Sequence, residues 1–150
     1  MPASTALRTM NDHFHASLMR VLSDMTDDQM LWCAVAVDAR SIRDVAIHAY
    51  RALLAATTVV AEVAWPSKPV LPPTVPDLLS LLDAMHAQID ELLMHVPDDA
   101  WETTVTLPWA QQIGSLEALT GCLAHGFVHV GAIQGIRAIG GFPTPPEDPH

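Results

Sequence analysis

His125-Gly126-Phe127-Val128-His129 lies at the centre of residues 115–140, and this stretch decides the fold. Two histidines four apart sit one turn above the other on a helix face, the geometry by which two imidazoles reach one metal ion. At about 100° per residue, Ala118, Cys122, Ala132 and Ile136 fall on the same stripe. The stripe is small and apolar, so it is expected to face inward. Buried imidazoles need partners, because buried polar groups left unpaired are costly, and a metal ion satisfies both. Taken alone, the spacing leaves a second reading open, with one histidine hydrogen-bonded in a core and the other in solvent. Ser115 reads as the N-cap of this helix, Glu117 as a first-turn acid, and Gly140-Gly141 as its stop. Gly121, Gly126, Gly131 and Gly135 fall inside it. Each costs ~0.8–1.0 kcal/mol relative to alanine, which predicts close approach by another backbone or a ligand.

Working outward, three more amphipathic helices are expected. In residues 7–25, Leu7, Met10, Phe14, Leu18, Val21 and Met25 share one face, with His13 and His15 flanking it as solvated or partly buried groups. Thr26 with Gln29 three residues later is a capping-box pattern opening a short turn through Trp32, and residues 33–39 read as a connection. Ser41 caps the next helix, expected over residues 41–64 and stopping before Pro66. Asp44 lies in its first turn, and His48 lies at the edge of its apolar face, placed to turn inward. Residues 65–76 carry five prolines and form a stiff loop long enough to cross one end of a bundle. The last helix of the three spans residues 75–96, with His86 and His95 away from its apolar centre and so exposed. Residues 97–114 are read as a loop or small hairpin-like excursion; of Trp101 and Trp109 within it, at least one is expected to plug the end of the core.

With 150 residues, half of them apolar, the chain is expected to form one domain over residues 1–142, followed by a Pro-rich tail at 143–150. A net charge of −10 argues against nucleic acid and against an anionic membrane surface. Residues 1–12 lack the basic start and apolar run of a signal peptide, and no stretch is expected to reach transmembrane length free of charge or proline. Two cysteines, Cys33 and Cys122, make no disulfide framework, so reduced thiols in a cytoplasm are expected. Eight histidines against seven lysines and arginines make metal chemistry worth testing.

Four such helices with a long crossing connection predict an all-α four-helix bundle, whose metal sites are built from inward side chains. His48, His125 and His129 can converge there as three imidazoles with an open position, a catalytic rather than closed pattern. Zn²⁺ is the default ion, and Ni²⁺ or Fe²⁺ suits imidazole equally.

The chain resembles the DinB-like (YfiT-like) proteins over nearly its whole length. The resemblance rests on Leu22-Ser23-Asp24-Met25-Thr26-Asp27-Asp28-Gln29-Met30-Leu31-Trp32, on Ser41-Ile42-Arg43-Asp44-Val45-Ala46-Ile47-His48, and on His125-Gly126-Phe127-Val128-His129-Val130-Gly131, with Arg137 and Gly140 after it. It departs at Ala132, where the family often has glutamine. The resemblance implies an up-down-down-up bundle, often a homodimer, with a divalent metal on the positions of His48, His125 and His129. It also implies kinship with S-transferases that use low-molecular-weight bacterial thiols.

Two classes of function follow. As an enzyme, the protein would bind a small thiol as thiolate and present it to an electrophile, or bind water and act as a hydrolase. Asp44, four residues before His48, and Cys122, one turn before His125, are candidates to support the site, and each has a plainer role, in the helix dipole and in packing. Trp32, Trp65, Trp101 and Trp109 are the residues able to make its pocket apolar. As a non-enzymatic module, the chain would be a dimer holding a metal or small ligand, in the manner of a stress protein.

Overall fold

The computed structural model describes residues 2–36, 38–109 and 112–147; the end of the tail, 148–150, lies outside them. Four long helices are present: α1 (Ala3–Val21), α3 (Ile42–Val60), α4 (Val75–His95) and α5 (Ser115–Gly140), with a short α2 (Asp27–Leu31) after the first. A 3₁₀ turn (Asp98–Glu102) and a two-stranded antiparallel hairpin, β1 (Thr104–Thr106) and β2 (Gln112–Gly114), connect α4 to α5. Val105 pairs with Ile113 across the hairpin.

Side-chain pairings fix the directions. Arg8 meets Asp90 and His15 meets Asp83, so α1 and α4 are antiparallel. Phe14 packs on Gly126, and the end of α1 meets Arg137, so α1 and α5 are parallel. His48 with His125, and Ala55 with Ala118, face one cavity, so α3 and α5 are antiparallel. It follows that α3 and α4 run the same way, which a tight turn cannot achieve, and the Pro-rich connection supplies the crossing. The topology is up-down-down-up. Phe14, Tyr50, Leu53, Leu78, Leu82, Ile89, Leu119 and Ile133 fill the core.

Local chemistry sets the boundaries. Thr26 and Gln29 form the expected capping box, and Ser41 and Thr74 accept from the N–H groups of Asp44 and Asp77. Helix α1 stops at Val21, earlier than periodicity predicts, and Asp24 turns the chain at φ 50°. The reason lies in Arg137. The residue is 1% exposed, and its guanidinium donates to the carbonyls of Val21 at 2.8 Å and Ser23 at 2.6 Å. It also donates to the Phe142 carbonyl at 2.9 Å, clasping the ends of α1 and α5 together. Helix α3 ends at Val60 rather than at 64, because Glu62 sits at φ 56°. Ser115 does not cap α5: Gly114 holds that position, and Ser115 is buried, its N–H on the Thr103 carbonyl.

Helix α5 corrects two further expectations. A Cβ at Gly126 would lie 2.9 Å from Phe14, so that glycine permits close packing, but Gly121, Gly131 and Gly135 face open space. By length and composition α5 is also long and apolar enough to cross a membrane, contrary to the expectation from charge and proline. In this fold it packs against α1 and α3.

His15 is partly buried, one of the two states expected, and His86 is not the exposed group expected. Their rings stack at 4.3 Å across the seam between α1 and α4, with His15 on Asp83 and His86 on Asp12, each at 2.8 Å. His15 Nδ1 lies 2.6 Å from the buried Tyr50 hydroxyl.

Candidate metal centre

His48 comes from α3 and His125 and His129 from successive turns of α5. The two helices are antiparallel neighbours, so the three rings meet at their seam. His129 Nε2 lies 2.8 Å from His125 Nε2, which lies 3.4 Å from His48 Nε2. The rings are nearly perpendicular to one another, at 78°, 88° and 81°. All three donor atoms lie within 4.8 Å of one another. Imidazole ligands about 2.0–2.1 Å from a tetrahedral ion stand roughly 3.4 Å apart, so one pair already matches and the other needs a small opening. The donor set therefore fits a divalent ion.

The surroundings keep the ligands ready. Partial desolvation of the ring, then the positive charge of Arg40, lowers the His48 pKa. Burial, then the neighbouring histidines and Arg40, lowers that of His129. Both favour the neutral imidazole, the form that coordinates a metal.

The triad faces outward more than its apolar stripe predicts. His48 and His125 are exposed and His129 is half-buried, while Ala132 is exposed and Ile136 half-buried. Since α5 is apolar on every side, the stripe through the histidines does not mark the core face. Ala118 and Cys122, on the same stripe, are buried and lead into a cavity of about 500 Å³ beside the rings. His48, Cys122 and His125 border that cavity, Trp65 and Pro66 close it from the crossing connection, and Leu107 and Trp109 close it from the hairpin. Trp65 and Trp109 meet edge to face at 6.1 Å.

The other expected site residues divide. Cys122 lines the cavity, and burial pushes its thiol up to about 11, so it stays protonated at neutral pH. Asp44 pairs with Arg43 at 3.1 Å and makes no hydrogen bond to His48 among the described residues; its role is at the helix start. Of the four tryptophans, Trp65 and Trp109 serve the cavity. Trp101 plugs the core with its indole on Ser4, and Trp32 packs on Phe142. Arg51 and Glu117 also line the cavity. Sequence reading passed over Arg51, although its place three residues after His48 sets it on the same helix face.

No curated protein matches the chain. The crystal structure of a DinB-like protein from Bacillus subtilis, YjoA, is similar in fold, with a TM-score of 0.67 at 12% identity, covering 99% of this chain and 95% of that one. The family model of the DinB superfamily matches residues 11–132. With that match over most of its length and this bundle beneath it, the chain belongs to the DinB superfamily.

Proposed function

We propose that the protein is a divalent-metal-dependent S-transferase that takes a small thiol as co-substrate. The observation that carries this reading is the convergence of three imidazole Nε2 atoms at the edge of an apolar cavity. A divalent ion, Zn²⁺ by default with Ni²⁺ or Fe²⁺ as alternatives, held by His48, His125 and His129 supplies positive charge that favours an anionic ligand, thiolate or hydroxide. The apolar side chains of Trp65, Leu107 and Trp109 beside the site favour the thiolate. The chain's own thiol there, Cys122, is held protonated by burial, so the nucleophilic sulfur is supplied by the co-substrate.

Exposure of His48 and His125 supports a second reading, in which water enters and the site hydrolyses an ester or amide. The test is cobalt substitution followed by titration with a bacterial thiol and an assay with a generic electrophile. A thiolate-to-cobalt charge-transfer band, with S-conjugation that disappears in His129→Ala, supports the transferase. Hydrolysis without thiol binding reverses the order, and neither activity leaves a metal-holding module.

A homodimer belongs to the same proposal. Val128 and Ile139 on α5 are 68% and 76% exposed, and Gly131 and Gly135 lie on that helix with open space above them. A helix apolar all round calls for cover on both sides, and a second copy meeting it helix to helix provides that. Light scattering at micromolar concentration should give twice the chain mass; a monomer mass counts against it. The free thiols Cys33 and Cys122 accord with a reducing cytoplasm.

A further inference from the structure

Arg51 stands out among the arginines. Arg8, Arg20 and Arg43 pair with carboxylates, Arg137 is clasped by backbone carbonyls, and Arg40 is exposed to solvent and is not among the residues that line the cavity. Arg51 has no ion pair among the described residues, and its Nε is shielded from solvent with no hydrogen-bond partner. Buried donors are ordinarily satisfied, and an exception points to something missing. Arg51 lines the cavity one turn along α3 from His48. Its charge is felt at the His48 ring, where it adds to the lowering of that pKa. Glu117 lines the same cavity yet forms no salt bridge with it, so the guanidinium is left for a ligand.

From this we infer that Arg51 is a specificity-determining residue: it binds the carboxylate of a small substrate whose apolar body lies against Trp65 and Trp109 and whose reactive end reaches the three histidines. A guanidinium presents a planar fork that matches a carboxylate with two parallel hydrogen bonds. A singly charged acid suits the site better than a dianionic phosphate, because Glu117 shares the cavity and the chain carries a net charge of −10. The volume of about 500 Å³ accommodates such a molecule. The substrate class is therefore a small apolar or aromatic monocarboxylate, as thiol or as electrophile. This rests on reading the cavity as the substrate site but not on the transfer reaction.

The test uses full-length protein, as purified and after chelation, because a bound metal attracts carboxylates by itself. Binding of 3-phenylpropanoate and of 3-phenylpropanamide is followed by tryptophan fluorescence at low salt. The acid should bind the chelated protein at least about tenfold more tightly than the amide, as a charge-assisted bidentate contact warrants. Arg51→Gln should bring the ratio close to one with amide affinity unchanged, and Arg51→Lys should restore an intermediate ratio. Equal affinities in the unsubstituted protein, no binding of either probe, or an undiminished ratio in Arg51→Gln overturns the inference. If Arg51→Gln loses its helical circular dichroism, Arg51→Met takes its place. A carboxylate preference without any S-conjugation leaves this inference standing while the transferase reading falls, so the two fail separately.

Discussion

Arg137→Met removes the clasp between the ends of α1 and α5 while keeping most of the buried apolar volume. Three of the guanidinium contacts are short, at 2.6, 2.8 and 2.9 Å, and two more, to Asp24 and Pro143, are long at 3.4 and 3.5 Å. A hydrogen bond to a charged group contributes about 1.5–3 kcal/mol, so the short contacts alone reach roughly 4.5 kcal/mol at the lower bound. Against this, only the bond to Val21 is fully buried. The other carbonyls regain water in the variant, and the cost of burying a guanidinium disappears. The expected net loss is about 2–4 kcal/mol, or roughly 4–16 °C in Tm for a domain of this size. Urea unfolding followed by circular dichroism measures it. Because the turn at Asp24 depends on the same contacts, limited proteolysis should cut first between α1 and α2. A loss under about 0.5 kcal/mol, in the range of ordinary surface substitutions, would refute the clasp as a stabilising device. It would show that desolvation of the guanidinium consumes what its hydrogen bonds return.

His125→Ala should sharply lower the metal content of purified protein, whereas His86→Ala should leave it unchanged; equal content in both would reassign the ligands. Chelation should leave helical circular dichroism largely intact, since the core is apolar and continuous without the site; unfolding on chelation would make the metal structural. Gly126→Ala places a Cβ 2.9 Å from the buried Phe14 ring and should cost about 1–3 kcal/mol by overpacking, whereas Gly131→Ala, with open space above it, should not destabilise. Burial holds the His15 pKa below its ordinary value despite Asp83, with Tyr50, His86 and Asp12 also facing it. The unfolded chain then takes a proton near pH 6.5 that the folded one refuses. Stability from this site is full above about pH 6.5 and declines as pH falls toward the lower folded pKa; His15→Asn should flatten that part of the pH–stability curve, and an unchanged slope would count against it.

The bundle and the histidine triad were legible because each rests on a strong periodic or spacing signal. Leu78, Leu82, Met85 and Ile89 mark one face of α4, Thr26 and Gln29 announce a cap, and His125 and His129 are bound to neighbour each other on any helix. What stayed hidden depends on partners distant in sequence. Nothing near Val21 says that an arginine 116 residues away will take its carbonyl and end α1. The stack of His15 on His86 needs the antiparallel pairing of α1 with α4 before either ring has a neighbour. The direction of the triad was misread because α5 has no polar side against which its inner face can be told.

The cavity has a floor and a roof of different origin. His48, Arg51, Ala118 and Cys122 belong to α3 and α5, the helices that carry much of the hydrophobic core, and Ala118 and Cys122 are part of it. Trp65 and Pro66 belong to the crossing connection and Leu107 and Trp109 to the hairpin region, and of these four only Leu107 is part of that core. A change of floor therefore carries a folding penalty, whereas the exposed Trp65 and Trp109 of the roof can change at little cost. Substitutions at Trp65 and Trp109 would reshape the cavity while His48, His125 and His129 stay in place, which makes these two positions the natural place to graft a different selectivity by design.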